Sequence, residues 1–182
     1  MAELPRTRPR PHDSRMPPLL TPGETVPAGC TILSALDTFD PTEMPWLEAA
    51  LAPEWTLADF EVALAASEAV LISDREGASI GLALLRPRAP APNDATIAFL
   101  AVQPERRFRG LGGEAGLAVE RLARERLAAR RVYTGIPEGR GLAVYFWLRL
   151  GFRPLSSAAA PKTPLGLAGE SLPGIWMLRD AP

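Results

Sequence analysis

The chemistry-bearing stretch of this chain is Leu100-Ala-Val-Gln-Pro-Glu-Arg-Arg-Phe-Arg-Gly-Leu-Gly-Gly113, in which three arginines and three glycines fall between Arg106 and Gly113. Glycines let a backbone turn tightly and let a ligand come close to the main-chain N–H groups. Where such N–H groups open a helix, they lie at the positive end of its dipole and form an anion site. Arg106, Arg107 and Arg109 add charge at the same place. A diphosphate is the anion that best matches so many donors in one loop. Two familiar phosphate motifs do not fit. A P-loop needs Lys and then Ser or Thr after its last glycine, whereas Gly112 is followed by Gly113-Glu114. The dinucleotide spacing G-x-G-x-x-G is not made by Gly110, Gly112 and Gly113. The alternative reading is a glycine-rich strand-to-helix turn with solvated arginines.

Little else in the chain could do chemistry. Cys30 is the only cysteine and His12 the only histidine. Intramolecular disulfides, Cys/His zinc sites and a Cys–His dyad are therefore excluded, and a Ser-His-Asp triad would need His12. No metal site is expected. The formal charge of −1 speaks against coating a nucleic acid, and the arginines at 6, 8, 10 and 15 are offset by Glu3 and Asp13. No apolar run is long enough for a membrane span or a secretory signal. Together with the unpaired cysteine, that points to the cytoplasm. A hydrophobic fraction of 47% over 182 residues suits one soluble domain with a self-sufficient core.

The elements that must position the loop can be read from the pattern around it. Residues 1–28 hold seven prolines and read as an extended, poorly ordered arm, with the domain proper over 29–182. Thr31–Leu36 reads as a strand, and Pro45–Leu51 and Leu57–Ala66 as short helices, the second capped by Thr56. Ala69–Ser73 and Ser79–Leu85 flank a five-residue glycine-containing connection and read as a hairpin. Ala95–Val102 is a nearly unbroken apolar run, as expected of a strand covered on both faces. Gly110 to about Ala129 has helical periodicity, and Val132–Ile136 is another strand. Strand, helix and strand over some forty residues form a βαβ unit, so these two strands should be parallel. A helix over Gly141–Leu150 ends at Gly151, followed by a return strand from Phe152, a long loop over Ser156–Pro173 and a last strand at Ile175–Leu178. The fold class is mixed α/β, with a sheet that is part antiparallel and part parallel.

Two motifs in order resemble the GNAT superfamily of acyl-CoA-dependent N-acetyltransferases. Val102-Gln-Pro104 followed by Arg107-Phe-Arg-Gly110-Leu-Gly112 is similar to the family's strand-to-helix signature. Ala143-Val-Tyr-Phe-Trp-Leu-Arg-Leu150-Gly151-Phe152 is similar to its later aromatic helix. The resemblance spans about residues 31–179 and is strongest over 95–154. It implies a single domain with a central mixed sheet, splayed between the strand ending at Val102 and the one at Val132–Ile136, and flanked by helices. It implies acetyl-CoA in that cleft as co-substrate. The main-chain N–H groups of Arg107, Phe108, Arg109, Gly110, Leu111, Gly112 and Gly113 would hold its pyrophosphate. The main chain of Leu100 and Val102 would pair with the pantetheine arm. The reaction implied is direct attack by a neutral amine in a ternary complex.

The family pattern breaks at the proton-transfer positions. The tyrosine that many relatives place five residues before the Gly-Phe phenylalanine is Trp147 here, and Tyr145 lies about 200° around the helix. The asparagine often found three residues before the alanine is Arg140. Trp147 is thus the candidate at the general-acid position, with packing against the sheet as its alternative role. Glu138, just past the strand at Ile136, is the candidate base. The acceptor is expected to be a small-molecule amine or a protein amino terminus. Its pocket would be built by 45–66, with Trp46 and Trp55, and by the 156–173 loop, which alternatively is disordered or makes a homodimer contact. Two competing readings remain at this point: a non-catalytic acyl-CoA-binding or sensing module on the same fold, and a nucleic-acid or partner-binding role for the arginine-rich arm.

Overall fold

The computed structural model describes residues 18–51, 55–107, 109–167, 169 and 171–181. Among the described residues eight strands form, in chain order: β1 (Thr25–Ala28), β2 (Thr31–Ala35), β3 (Glu68–Asp74), β4 (Ser79–Pro87), β5 (Asp94–Val102), β6 (Arg131–Pro137), β7 (Arg153–Pro154) and β8 (Gly174–Asp180). They make one sheet in the order β1-β2-β3-β4-β5-β6-β8-β7. Every neighbouring pair is antiparallel except β5–β6. That pair is joined through α3 (Leu111–Leu127), and a crossover helix is what parallel neighbours require.

The runs of β4 and β5 read as continuously apolar because helices cover both faces of the sheet. On one face α3 contributes Ala115, Ala118, Val119, Leu122 and Ala123, and α4 (Gly141–Arg149) contributes Trp147. Ile80, Ala83 and Leu85 meet them from β4, and Ala95 and Ile97 from β5. On the other face α1 (Leu47–Ala50) and α2 (Leu57–Ala65) pack Leu47, Phe60, Ala63 and Leu64 against Leu82, Leu84, Phe99 and Ala101. Phe60 sits between Phe39 and Phe99, with ring centroids 5.3 and 5.2 Å away. Such tilted aromatic contacts add to the area they bury.

Three boundaries differ from the sequence expectation. Residues 1–17 of the expected arm, including His12, lie outside the described residues. The rest of that arm belongs to the folded domain: Leu19 and Leu20 are 2% and 4% exposed, and β1 pairs with β2 as the outermost strand on its side. Pro27 hid this strand, because proline is tolerated on an edge where its missing N–H would face solvent. The expected helix over 45–51 is shortened to α1 and preceded by a 3-10 turn over Pro41–Glu43 that Asp40 caps. The return strand after Phe152 is only Arg153–Pro154, paired with β8.

Candidate functional site

The sheet forks between β5 and β6. Their parallel pairing runs from Asp94↔Arg131 to Ile97↔Thr134 and then stops, although both strands continue. A bulge lies at the fork: on β4, Leu84 faces Phe99 while the next residue, Leu85, faces Ile97, so Ala98 is the extra residue of β5. An inserted residue bends its strand, and here the bend carries the end of β5 away from β6. From Gly135 onward β6 pairs only with β8.

The main chain at the end of β5 is turned toward this opening. Gln103 donates its N–H to the Ile80 carbonyl of β4 at 2.8 Å. Neighbouring residues of a strand direct their N–H and C=O groups to opposite sides, so those of Val102, and of Leu100 two residues earlier, point away from β4. Consistent with this, the Ala101 carbonyl oxygen faces Gly81 of β4. Arg107 donates its Nε–H to the Val102 carbonyl at 3.2 Å, which closes the turn and leaves the Val102 N–H on the open flank.

After Val102 the chain makes a 3-10 turn over Pro104–Arg106 and enters α3 through Gly110, whose φ of 82° is the left-handed conformation that glycine adopts without a Cβ penalty. The first helical bond is Glu114 N–H to the Gly110 carbonyl, at 3.1 Å. Gly110 carries no side chain and α3 has no side-chain cap, so the N–H groups of Leu111, Gly112 and Gly113 open toward the helix end. The three arginines are not equivalent. Arg106 faces Asp74 at 3.7 Å, Arg107 is drawn onto Val102, and Arg109 is exposed. Phe108 lies outside the described residues.

The β1–β2 turn braces this loop and is itself held by the β3–β4 turn, an arrangement the sequence pattern does not announce. Glu114 accepts a hydrogen bond from the Cys30 N–H at 2.6 Å, bringing the β1–β2 turn onto the first turn of α3. Arg75, in the β3–β4 turn, donates to the Gly29 carbonyl at 3.1 Å. The local signal was a carboxylate in the first turn of a helix, which the dipole favours, but its partner is 84 residues away.

The proton-transfer candidates fall elsewhere. Trp147 is 6% exposed and sits edge-on between Phe146 and Phe152, with centroids at 5.1 and 4.7 Å. It is a core side chain of the α3–α4 face. Tyr145 is 60% exposed and points to the opposite side, under the Arg149 guanidinium. Glu138 is exposed at the end of β6 and lines an open depression of about 500 Å³ with Pro137, Arg140 and Val144. The loop at 107–113 does not line that depression; the two lie at the ends of the diverging strands. Below the fork, burial pushes the phenol of Tyr133 up, so it stays protonated at neutral pH. Among the described residues no group of His, Cys, Asp and Glu is placed to hold a metal ion, and no helix is long and apolar enough to cross a membrane.

Residues 32–152 match the family model described as the acetyltransferase (GNAT) family. No curated protein matches the chain by sequence. Solved structures share the fold at low identity. A GNAT family acetyltransferase from Elizabethkingia anophelis with acetyl-CoA bound superposes with a TM-score of 0.62 at 18% identity, over 84% of this chain and 99% of that one. The ribosomal-protein-S18-alanine N-acetyltransferase from Escherichia coli gives 0.58 at 18% identity, over 82% and 93%. A spermidine/spermine N-acetyltransferase from Vibrio cholerae gives 0.58 at 13% identity, over 84% and 94%.

Proposed function

The chain belongs to the acetyltransferase (GNAT) family, and from that premise we propose that it is an N-acetyltransferase moving the acetyl group of acetyl-CoA to an amine by direct attack in a ternary complex. The observation that carries this reading is the presence of two open hydrogen-bonding surfaces on one turn. One is the uncapped start of α3, and the other is the flank of β5 beyond Ile97 that β6 leaves unpaired. The first fits a diphosphate and the second an extended amide-bearing arm, and the donors present suit both.

In this mechanism the main-chain N–H groups of Phe108, Arg109, Gly110, Leu111, Gly112 and Gly113 hold the diphosphate. That of Arg107, expected from the sequence to join them, already donates to the Pro104 carbonyl at 3.3 Å. Leu100 and Val102 pair with the pantetheine arm as an added strand would. Because Arg107 already occupies the Val102 carbonyl, the Val102 N–H is the group left to donate. Acetyl-CoA supplies an activated thioester, and an N–H on this edge stabilises the negative charge that develops on the carbonyl oxygen under attack. The acceptor amine must lose a proton, since an alkylammonium is only roughly 0.04% neutral at pH 7. Glu138, on the opposite arm of the fork, takes that proton through water. Trp147 holds the position of a general acid but is sealed in the core, so the leaving thiolate takes its proton from solvent. An amine or amino terminus as acceptor is supported by the family and by structural relatives named for an alanine terminus and for polyamines.

Thiol release from acetyl-CoA across a panel of amines and amino-terminal peptides tests the proposal. Turnover with at least one acceptor is expected, with Glu138→Gln lowering kcat ~10-fold or more. Trp147, packed among Phe146 and Phe152, favours a second reading, a non-catalytic acyl-CoA-binding module. That reading expects acetyl-CoA to stabilise the protein while no amine on the panel releases thiol.

A further inference from the structure

Arg86 differs from Arg106, Arg124 and Arg179, which are half-buried as it is. It follows Leu85 on β4 and so turns to the α1–α2 face of the sheet, the face of Leu82 and Leu84. Arg106, Arg124, Arg126, Arg131, Arg153 and Arg179 all meet a carboxylate. Among the described residues Arg86 meets none. It is half-buried, and its Nε is sealed from water without an acceptor. Burial pushes its pKa below the usual arginine value. Its bond is to the Leu167 carbonyl, in the loop that joins β7 to β8.

A guanidinium withdrawn from water for one carbonyl is a poor stabiliser. An apolar side chain of similar volume does as well or better at such a place. The arrangement is better explained by what the bond holds. Leu167 is 2% exposed in the cluster beneath α1 and α2. Two residues earlier, Leu165 lies over Gly135 of β6, so close that a Cβ there would come within 2.9 Å of the Leu165 Cγ. Both anchors stand at the level of the fork. Arg86 is opposite Thr96, one residue before the last paired residue of β5, and Gly135 is one residue past the last paired residue of β6.

We propose that Arg86 is a positioning residue that holds the loop segment of residues 155–167 over the fork on the α1–α2 face, and that the loop so held sets which amines reach the cleft. The second clause rests on the acetyl-transfer reading; the first does not.

Lys162 is the only lysine of the chain and lies exposed in this loop. Endoproteinase Lys-C therefore cuts the protein at one place and reports the loop's opening. In Arg86→Met the cut is expected to be ~10-fold faster with the melting temperature unchanged or raised, because proteolysis follows local opening. Gly135→Ala, which displaces Leu165 from the other side, should accelerate the same cut. For any amine the wild type turns over, Arg86→Met should raise the acceptor KM ~5-fold or more while acetyl-CoA affinity stays within about 2-fold, as expected when only acceptor binding is lost. An unchanged cleavage rate in both variants overturns the proposal, as does faster cleavage that merely follows a lowered melting temperature. Faster cleavage with an unaltered acceptor KM overturns its second clause. If the wild type acetylates no amine, the acetyl-transfer reading fails, and the cleavage assay still decides whether Arg86 holds the loop.

Discussion

Two helices of this fold begin in opposite ways. At α2 the chain closes its own helix end. The Thr56 hydroxyl accepts from the Asp59 N–H at 3.2 Å, and the Asp59 carboxylate accepts from the Thr56 N–H at 2.7 Å. This reciprocal box satisfies two of the donors that a helix start leaves over. At α3 the residue in the capping position is Gly110, which offers no side chain, and two more glycines follow within the first turn. The longest helix of the described residues thus forgoes a stabilising device that a nine-residue helix employs. The difference teaches that an uncapped helix start is informative when the same chain caps another one. A self-satisfied end has nothing to offer an anion, whereas an open end in a braced loop does.

The comparison can be broken most directly by giving α3 a cap of its own. Gly110→Asp has room, since a Cβ there meets nothing within 4 Å. The carboxylate would occupy the amides and repel a diphosphate, and acetyl-CoA affinity should fall ~100-fold by titration calorimetry. Stability should change little, because the cap gained and the left-handed strain incurred are each about 1 kcal/mol. An unaltered dissociation constant would mean that the amides do not hold the coenzyme. The converse change, Thr56→Ala, should cost about 1 kcal/mol in urea unfolding and leave acetyl-CoA binding untouched. The smallest effect concerns pH. The amide and hydroxyl of Thr56 hold the Asp59 carboxyl below the usual carboxylate range. A carboxylate depressed in the folded state adds stability above its unfolded pKa of ~3.9, and that contribution disappears as pH falls through the folded value. Below about pH 4 the melting temperature of Asp59→Asn should therefore decline less steeply than that of the wild type.

Much of this was legible in the chain. The β5–α3–β6 unit, the hairpin of β3 and β4, the cap at Thr56 and the loop at 107–113 are each written within one stretch, by periodicity, turn residues or cap chemistry. What was missed has a common character. β1 is four residues long, carries Pro27 and makes sense only once β2 lies beside it. Glu114 reads as an ordinary first-turn carboxylate until the β1–β2 turn arrives at its side. Trp147 was not missed but is open in the sequence between a proton donor and packing against the sheet, because counting along a helix cannot tell a cleft-facing residue from a core one. Its burial between Phe146 and Phe152 is set by the sheet beneath.

By itself the sequence determined the order of the strands and longer helices from β2 onward, the parallel crossover and the presence of a donor-rich turn opening a helix, because those depend on dihedral preference and on spacing along the chain. Only the tertiary structure decided where β5 and β6 part, which main-chain groups face the gap, and that a half-buried Arg86 ties a distant loop across it. Those features arise from a bulge register and from contacts between residues far apart in the chain, and such pairings are fixed only when the sheet and its covering helices pack together.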